Sequence, residues 1–172
     1  LKNDASDTTT GTITAAGFTA AADGVVTLAN EGKVKFTDTT FGDGNQRSSG
    51  ITLRFTTSSL AIAIGQAVHL SGTTVILADA DVASQAAMPC IGVAASATTG
   101  SGTEAIDVLV LGCMRYDTYD FTAGSDVFVT ATPGVLDETA PSTDGHYVQK
   151  VGIAISADIL YVNPSLDVIE HA

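Results

Sequence analysis

The sequence contains no tryptophan, aromatic residues make up only 6% of its 172 positions, and there are just two cysteines, four prolines and seven Lys or Arg. Each shortage removes a class of protein. Two thiols, Cys90 and Cys113, are too few for a disulfide framework or a zinc site, and each lies beside an apolar run, so both are expected to be free core thiols. Seven cations against nineteen acids leave a net charge of −12, and no segment gathers the cations into a patch. Nucleic acid is therefore not an expected partner, because affinity for phosphate comes from clustered Lys and Arg. No apolar run approaches the roughly 18 residues of a membrane-spanning helix, and no membrane partner is expected. Position 1 is Leu rather than Met, and Leu1-Lys2-Asn3-Asp4 reads as a stretch from within a longer protein.

What is present is β-forming. Hydrophobic residues reach 45%, mostly Ala, Val, Ile and Leu, and seventeen glycines punctuate them. Period-two alternation runs through Ile51-Thr52-Leu53-Arg54-Phe55 and Tyr147-Val148-Gln149-Lys150-Val151, with shorter pieces at Val75-Ile76-Leu77 and Val127-Phe128-Val129. Helix signals are weak. Asp81 to Met88 is Ala-rich but short and stopped by Pro89, so a turn or loop with at most one helical turn is expected there. The predicted class is all-β: an extended N-terminal β segment over residues 1–50, then a compact β-sandwich or barrel over 51–172. The first segment is rich in Thr, Gly, Asp and Asn, with brief apolar alternations such as Gly24-Val25-Val26-Thr27-Leu28 and Lys33-Val34-Lys35-Phe36. Such strands bury too little on their own, and further copies of the same chain are their most economical partners.

The second segment carries an internal echo. Gly65-Gln66-Ala67-Val68-His69-Leu70 and Pro89-Cys90-Ile91-Gly92-Val93-Ala94 are matched by Gly124-Ser125-Asp126-Val127-Phe128-Val129 and Lys150-Val151-Gly152-Ile153-Ala154. The framing glycines lie 92 − 65 = 27 and 152 − 124 = 28 residues apart. Two related units are therefore predicted, over about 61–112 and 120–164. Gly92 and Gly152 are expected to sit in equivalent core strands where a side chain would collide with a neighbouring backbone.

A resemblance adds to this reading. Gly145-His146-Tyr147-Val148-Gln149-Lys150-Val151-Gly152-Ile153-Ala154-Ile155-Ser156-Ala157-Asp158-Ile159-Leu160-Tyr161-Val162-Asn163-Pro164-Ser165 resembles the C-terminal β-domain of tailed-phage fibre and head-fibre or capsid-decoration proteins. Met88-Pro89-Cys90-Ile91-Gly92-Val93-Ala94 resembles another recurrent strand of that family, and residues 1–15 and 33–45 resemble fibre stalks. The resemblance implies a structural virion protein on the exterior of a capsid or tail, commonly a homotrimer, with other virion proteins as partners. A fibre or spike component is the first expectation and a capsid decoration (cement) protein the alternative. The family offers no catalytic motif.

His69, His146 and His171 lack companions at ligand spacing, and His69 is expected on the polar face of its strand, opposite Val68. No Gly-x-Ser-x-Gly turn occurs, so no hydrolase nucleophile is indicated. Thr99-Gly100-Ser101-Gly102-Thr103 reads as a mobile hairpin loop, since no helix or Lys follows it to cradle phosphate. Asp79 with Asp81, and Asp117 with Asp120 around Tyr116 and Tyr119, are the acids closest to apolar or aromatic neighbours. Paired carboxylates can cleave glycosides, and an acidic aromatic surface can bind a host surface glycan. Tyr116, Asp117, Tyr119 and Asp120 are thus the candidate contacts for a glycan or protein partner, with inter-strand packing the simpler role for the tyrosines. No enzyme activity, catalytic residue, metal or cofactor is expected.

Overall fold

A computed structural model of the chain describes residues 46–81 and 87–172. The stalk-like alternations before residue 46, and most of the Ala-rich segment after Asp81, lie outside the described residues. Among those described, the chain is all-β with no α-helix. The strands are β1 (Arg47–Ser58), β2 (Ala67–Ser71), β3 (Thr74–Leu77), β4 (Cys90–Ala94), β5 (Thr103–Arg115) and β6 (Asp126–Val129). They continue with β7 (Leu136–Asp137), β8 (Tyr147–Val148), β9 (Lys150–Ser156), β10 (Ile159–Val162) and β11 (Ile169–Glu170).

Nine strands form one sheet in the order β1-β3-β2-β4-β5-β10-β9-β6-β7, and a further pairing of β1 with β5 closes the first five into a barrel. The long strand β5 makes this possible. One edge pairs with β1 from end to end, while the other holds β4 at Val108 and Leu109 and then β10 at residues 112–115. The barrel interior is filled by Ile62, Val68, Val75, Ala94, Ile106 and Val108, with Phe55 of β1 packed against them. All five barrel strands therefore contribute to this first core.

The wall of the barrel is buried on its other side too. Ala67, Cys90, Val93 and Leu109, alternating with the interior residues, join Val127, Val129, Val151, Ala154, Leu160 and Val162 in a second core. Ala67 and Val68 are adjacent in sequence, face opposite cores and are both wholly buried. This two-sided burial favours the Ala and Val of β2 and β4, since a wall packed on both faces leaves little room for long side chains. Truncating Leu109, wholly enclosed in the second core, would cost about 2–5 kcal/mol on the scale of buried Leu→Ala changes.

The pairings of β2 with β4 and of β6 with β9 share one register. Val68 faces Gly92 and Val127 faces Gly152, and in both pairs a bulge follows immediately, before His69 and Phe128. The enclosing backbone bonds match as well: Gly65 N–H donates to Ala94 O at 2.9 Å and Gly124 N–H to Ala154 O at 2.8 Å. A Cβ on Gly92 would strike the carbonyl oxygen of Leu109, and one on Gly152 the carbonyl oxygen of Tyr161. Neither carbonyl can move without breaking a strand pairing, so both positions require glycine for steric reasons.

Two local expectations change. His69 is not on a polar face: it is 8% exposed, and its Nδ1 lies 2.9 Å from the carbonyl oxygen of Pro89. A carbonyl can only accept, so Nδ1 carries the proton and the ring is satisfied inside the fold. The Thr99–Thr103 loop is organised around one carboxylate. Glu104 accepts hydrogen bonds from the backbone N–H groups of Thr99, Gly100 and Ser101 and from the Thr99 hydroxyl, at 2.7–3.2 Å. The glycines of this loop serve an internal anion rather than an external phosphate.

Two predictions arise here. Gly152→Ala and Gly92→Ala should each lower stability by about 1–3 kcal/mol through overpacking, read as a lower denaturant midpoint; unchanged midpoints for both would refute the steric account. Hydrogen bonds from Thr99 hold the Glu104 carboxyl below its ordinary value of 4.5, and the Arg54 guanidinium does the same to Asp107 from 3.8. Depressed folded-state values stabilise above the unfolded values, and that stability is lost as pH falls below about 4.5 and through the folded values. Acid titration of Glu104→Gln should accordingly show a shallower loss of stability below pH 4.5 than the parent.

Candidate functional site

The segment Tyr116 to Phe121 leaves the end of β5 and turns back across the β9–β10 connection. Tyr116 N–H donates to Asp158 O at 2.9 Å and Phe121 N–H to Ala157 O at 3.0 Å, while Tyr119 N–H closes the turn on Tyr116 O. This backbone places three aromatic rings together. Tyr119 meets Tyr116 edge-on with centroids 5.2 Å apart, and Phe121 at 4.7 Å. The Tyr119 hydroxyl donates to the carbonyl oxygen of Gly65 at 2.7 Å, tying the segment to the start of β2. Burial, with Tyr116 adding to it, pushes the Tyr119 phenol above its ordinary value. Tyr119 is thus a structural pin with its polar end spent.

Tyr116 and Tyr119 line a cavity of about 270 Å³, together with Gln66, Thr118, Val135 and Leu136. The four sequence candidates do not converge on it. Asp117 accepts from Arg115 Nε at 2.6 Å, Asp120 is exposed, and neither lines the cavity. The tyrosines therefore offer an aromatic recess without a carboxylate in its wall.

The other acid pair is also divided by its surroundings. Asp79 is 8% exposed and its Oδ1 accepts the backbone N–H of Asp81 at 2.9 Å, which is the geometry of a local turn. The Asp81 carboxylate lies 3.9 Å from His146 Nε2, a neighbour 65 positions away that sequence spacing could not supply. His171 Nδ1 approaches Asp144 at 3.7 Å. Among the described residues no group of three or more His, Cys, Asp or Glu is arranged to hold a metal ion. Both thiols are free and buried, and burial pushes Cys90 up to about 12.

The polar residue that sequence reading missed is Gln149. It falls between β8 and β9, is 1% exposed, and lies against β4 rather than solvent. Its Oε1 accepts Cys90 N–H at 2.7 Å and its Nε2 donates to Cys90 O at 2.9 Å and to Ser165 O. Backbone bonds from Asn163 N–H to Val151 O and from Ser165 N–H to Lys150 O, both 2.9 Å, draw the Asn163-Pro164-Ser165 turn against the same strand. The only sequence signal was a Gln in a strand-like run, where period-two alternation puts it on the same face as Tyr147 and Val151. No protein-family model matches the chain, and no curated protein matches it.

Gln149→Ala would leave both polar groups of Cys90 and the Ser165 carbonyl without this partner, at about 1–3 kcal/mol for each buried group left unpaired. The expected result is a clear fall in denaturant midpoint together with faster thiol labelling of Cys90. Labelling and stability equal to the parent would show the amide to be dispensable.

Proposed function

We propose that this chain is a structural virion protein of a tailed phage, a fibre or spike component on the particle exterior that assembles as a homotrimer with an architectural or adhesive role. The observation that carries the reading is the string from Gly145 to Ser165, which resembles the closing domain of phage fibre and capsid-decoration proteins. In this fold that string supplies β8, β9 and β10 and the Gln149 lock on β4. A closed barrel with a doubly buried wall suits a part that bears load rather than one that opens around a substrate. The surface charge, a net −12, favours solubility and docking onto a basic neighbour. Capsid decoration is the alternative placement within the same class.

A second reading rests on the recess beside Tyr116, where an aromatic wall and the Gln66 and Thr118 side chains could hold a sugar ring of a host glycan by stacking and hydrogen bonding. In this reading the chain binds and does not cleave, since Asp117 and Asp120 stand outside the recess.

The deciding experiment is labelling of purified phage particles with antibody raised against the recombinant chain, followed by a density map. Label along the tail supports the fibre, and label over the shell at three-fold positions supports decoration. Particles that carry the antigen nowhere would overturn the virion assignment. Tyr116→Ala with unchanged glycan-array binding would end the sugar reading.

A further inference from the structure

The two-stranded sheet of β8 and β11 stands apart from the nine-stranded one and holds the segment that follows the Asn163-Pro164-Ser165 turn. Little apolar surface secures that segment. Leu166 and Ile169 are 81% and 68% exposed, while Val168 packs against the second core and forms one wall of a recess of about 220 Å³ with Met88, Pro89 and Tyr147. The fastening is mainly backbone. Ile169 pairs with Val148 and Glu170 with Tyr147, Gly145 N–H donates to His171 O at 2.6 Å, and His171 N–H donates to His146 O at 2.8 Å. A strap held by so few bonds opens locally, at far lower cost than unfolding the domain.

Each strand of this clasp carries a histidine set against an acid from another part of the chain. His146 Nε2 lies 3.9 Å from Asp81 Oδ1, and the adjoining Tyr147 N–H donates to Ala80 O at 2.8 Å, so backbone and side chain meet the same segment after β3. His171 Nδ1 lies 3.7 Å from Asp144 Oδ1, is buried, and has no hydrogen-bond partner. A nitrogen so placed opposes the carboxylate when it bears a lone pair and suits it when the ring is protonated. The other charges on these elements are acids as well: Glu170 and Asp167 are exposed, and the Asp79 carboxylate is taken by the Asp81 N–H. The described cations Arg47, Arg54, Arg115 and Lys150 belong to β1, β5 and β9, with Lys150 engaged by Asp126. The two histidines neighbour each other across the His171–His146 bond, and each brings its own acid against the added charge.

We propose that the β8–β11 clasp is a pH-sensitive strap, closed against the Met88–Pro89–Tyr147 recess when His146 and His171 are protonated and loosened when they lose their protons. Imidazole is the side chain whose charge changes between about pH 5 and 8. Proton uptake from solvent turns both contacts into ion pairs with Asp81 and Asp144, so the added hold is present on the acid side and lost as pH rises through the imidazole range. It is lost again below about pH 4, where carboxylates themselves take up protons. Partly exposed pairs shift an equilibrium only a few-fold each, which is enough for a local strap and too little to unfold the domain. The strap lies outside the doubly buried wall, which has no part in its opening.

The test is amide exchange on the full chain by NMR, expressed as protection factors that remove the intrinsic pH dependence of exchange, for the Gly145 and His171 N–H groups at about pH 5.5 and about pH 8. The parent should show protection a few-fold higher at the lower pH. In the double variant His146→Gln with His171→Gln, protection should be the same at both. Asp144→Asn, at a side chain 91% exposed and so changed without disturbing the fold, should lose part of the pH dependence and keeps the test decisive if the double variant distorts the turn. The Ala154 N–H, bonded to Ser125 O, reports on the rest of the fold and should stay protected in every variant. Equal protection at the two pH values in the parent, or a pH dependence left unchanged by the double variant or by Asp144→Asn, would overturn the strap.

Discussion

The side-chain amide of Gln149 ties the start of β9 to β4 inside the core that the two share. Strand β5 pairs with β4 only at Val108 and Leu109 before turning to β10, so the backbone of Cys90, further along β4, is left without a strand on that side. A primary amide carries a donor and an acceptor in one plane and can stand in for the missing strand. Gln149 does this, meeting both the N–H and the carbonyl of Cys90 and reaching Ser165 with its remaining donor capacity. The site is enclosed, so water cannot substitute, and the geometry of β4, β9 and the Asn163-Pro164-Ser165 turn is fixed together.

Around that lock the packing has little freedom. The wall of β2, β4 and β5 is shared between two cores, and each of its residues is constrained from both sides or by an immediate neighbour that is. Gly92 and Gly152 set the closeness of the strands at matching places. A molecule built this way resists deformation, which fits an architectural role better than one requiring a lid or hinge.

Electrostatics act mainly at the surface and in loops. The Arg54–Asp107 pair is well exposed and adds little to stability, whereas Glu104 gathers the backbone N–H groups of three successive loop residues, Thr99, Gly100 and Ser101. The excess of acids shapes what the protein can approach rather than how it folds.

The sequence by itself determined the class: alternating Val and Ile, compact residues and frequent glycine allow strands and little else, and Ile51 to Phe55, Val75 to Leu77 and Val127 to Val129 all lie in strands. It also determined the need for glycine at 92 and 152, because the repeated spacing is local information. Other features were decided only by the tertiary structure. Period two tells which residues share a face but not whether that face meets solvent, so His69 read as outward and is buried. Tyr119 and Asp117, near neighbours in a promising cluster, part company because one finds Gly65 and the other Arg115. Closure of the barrel by β1 on β5, and the cover that hides Val93 yet leaves Ile153 open, depend on contacts between residues dozens of positions apart. A linear pattern carries no record of them.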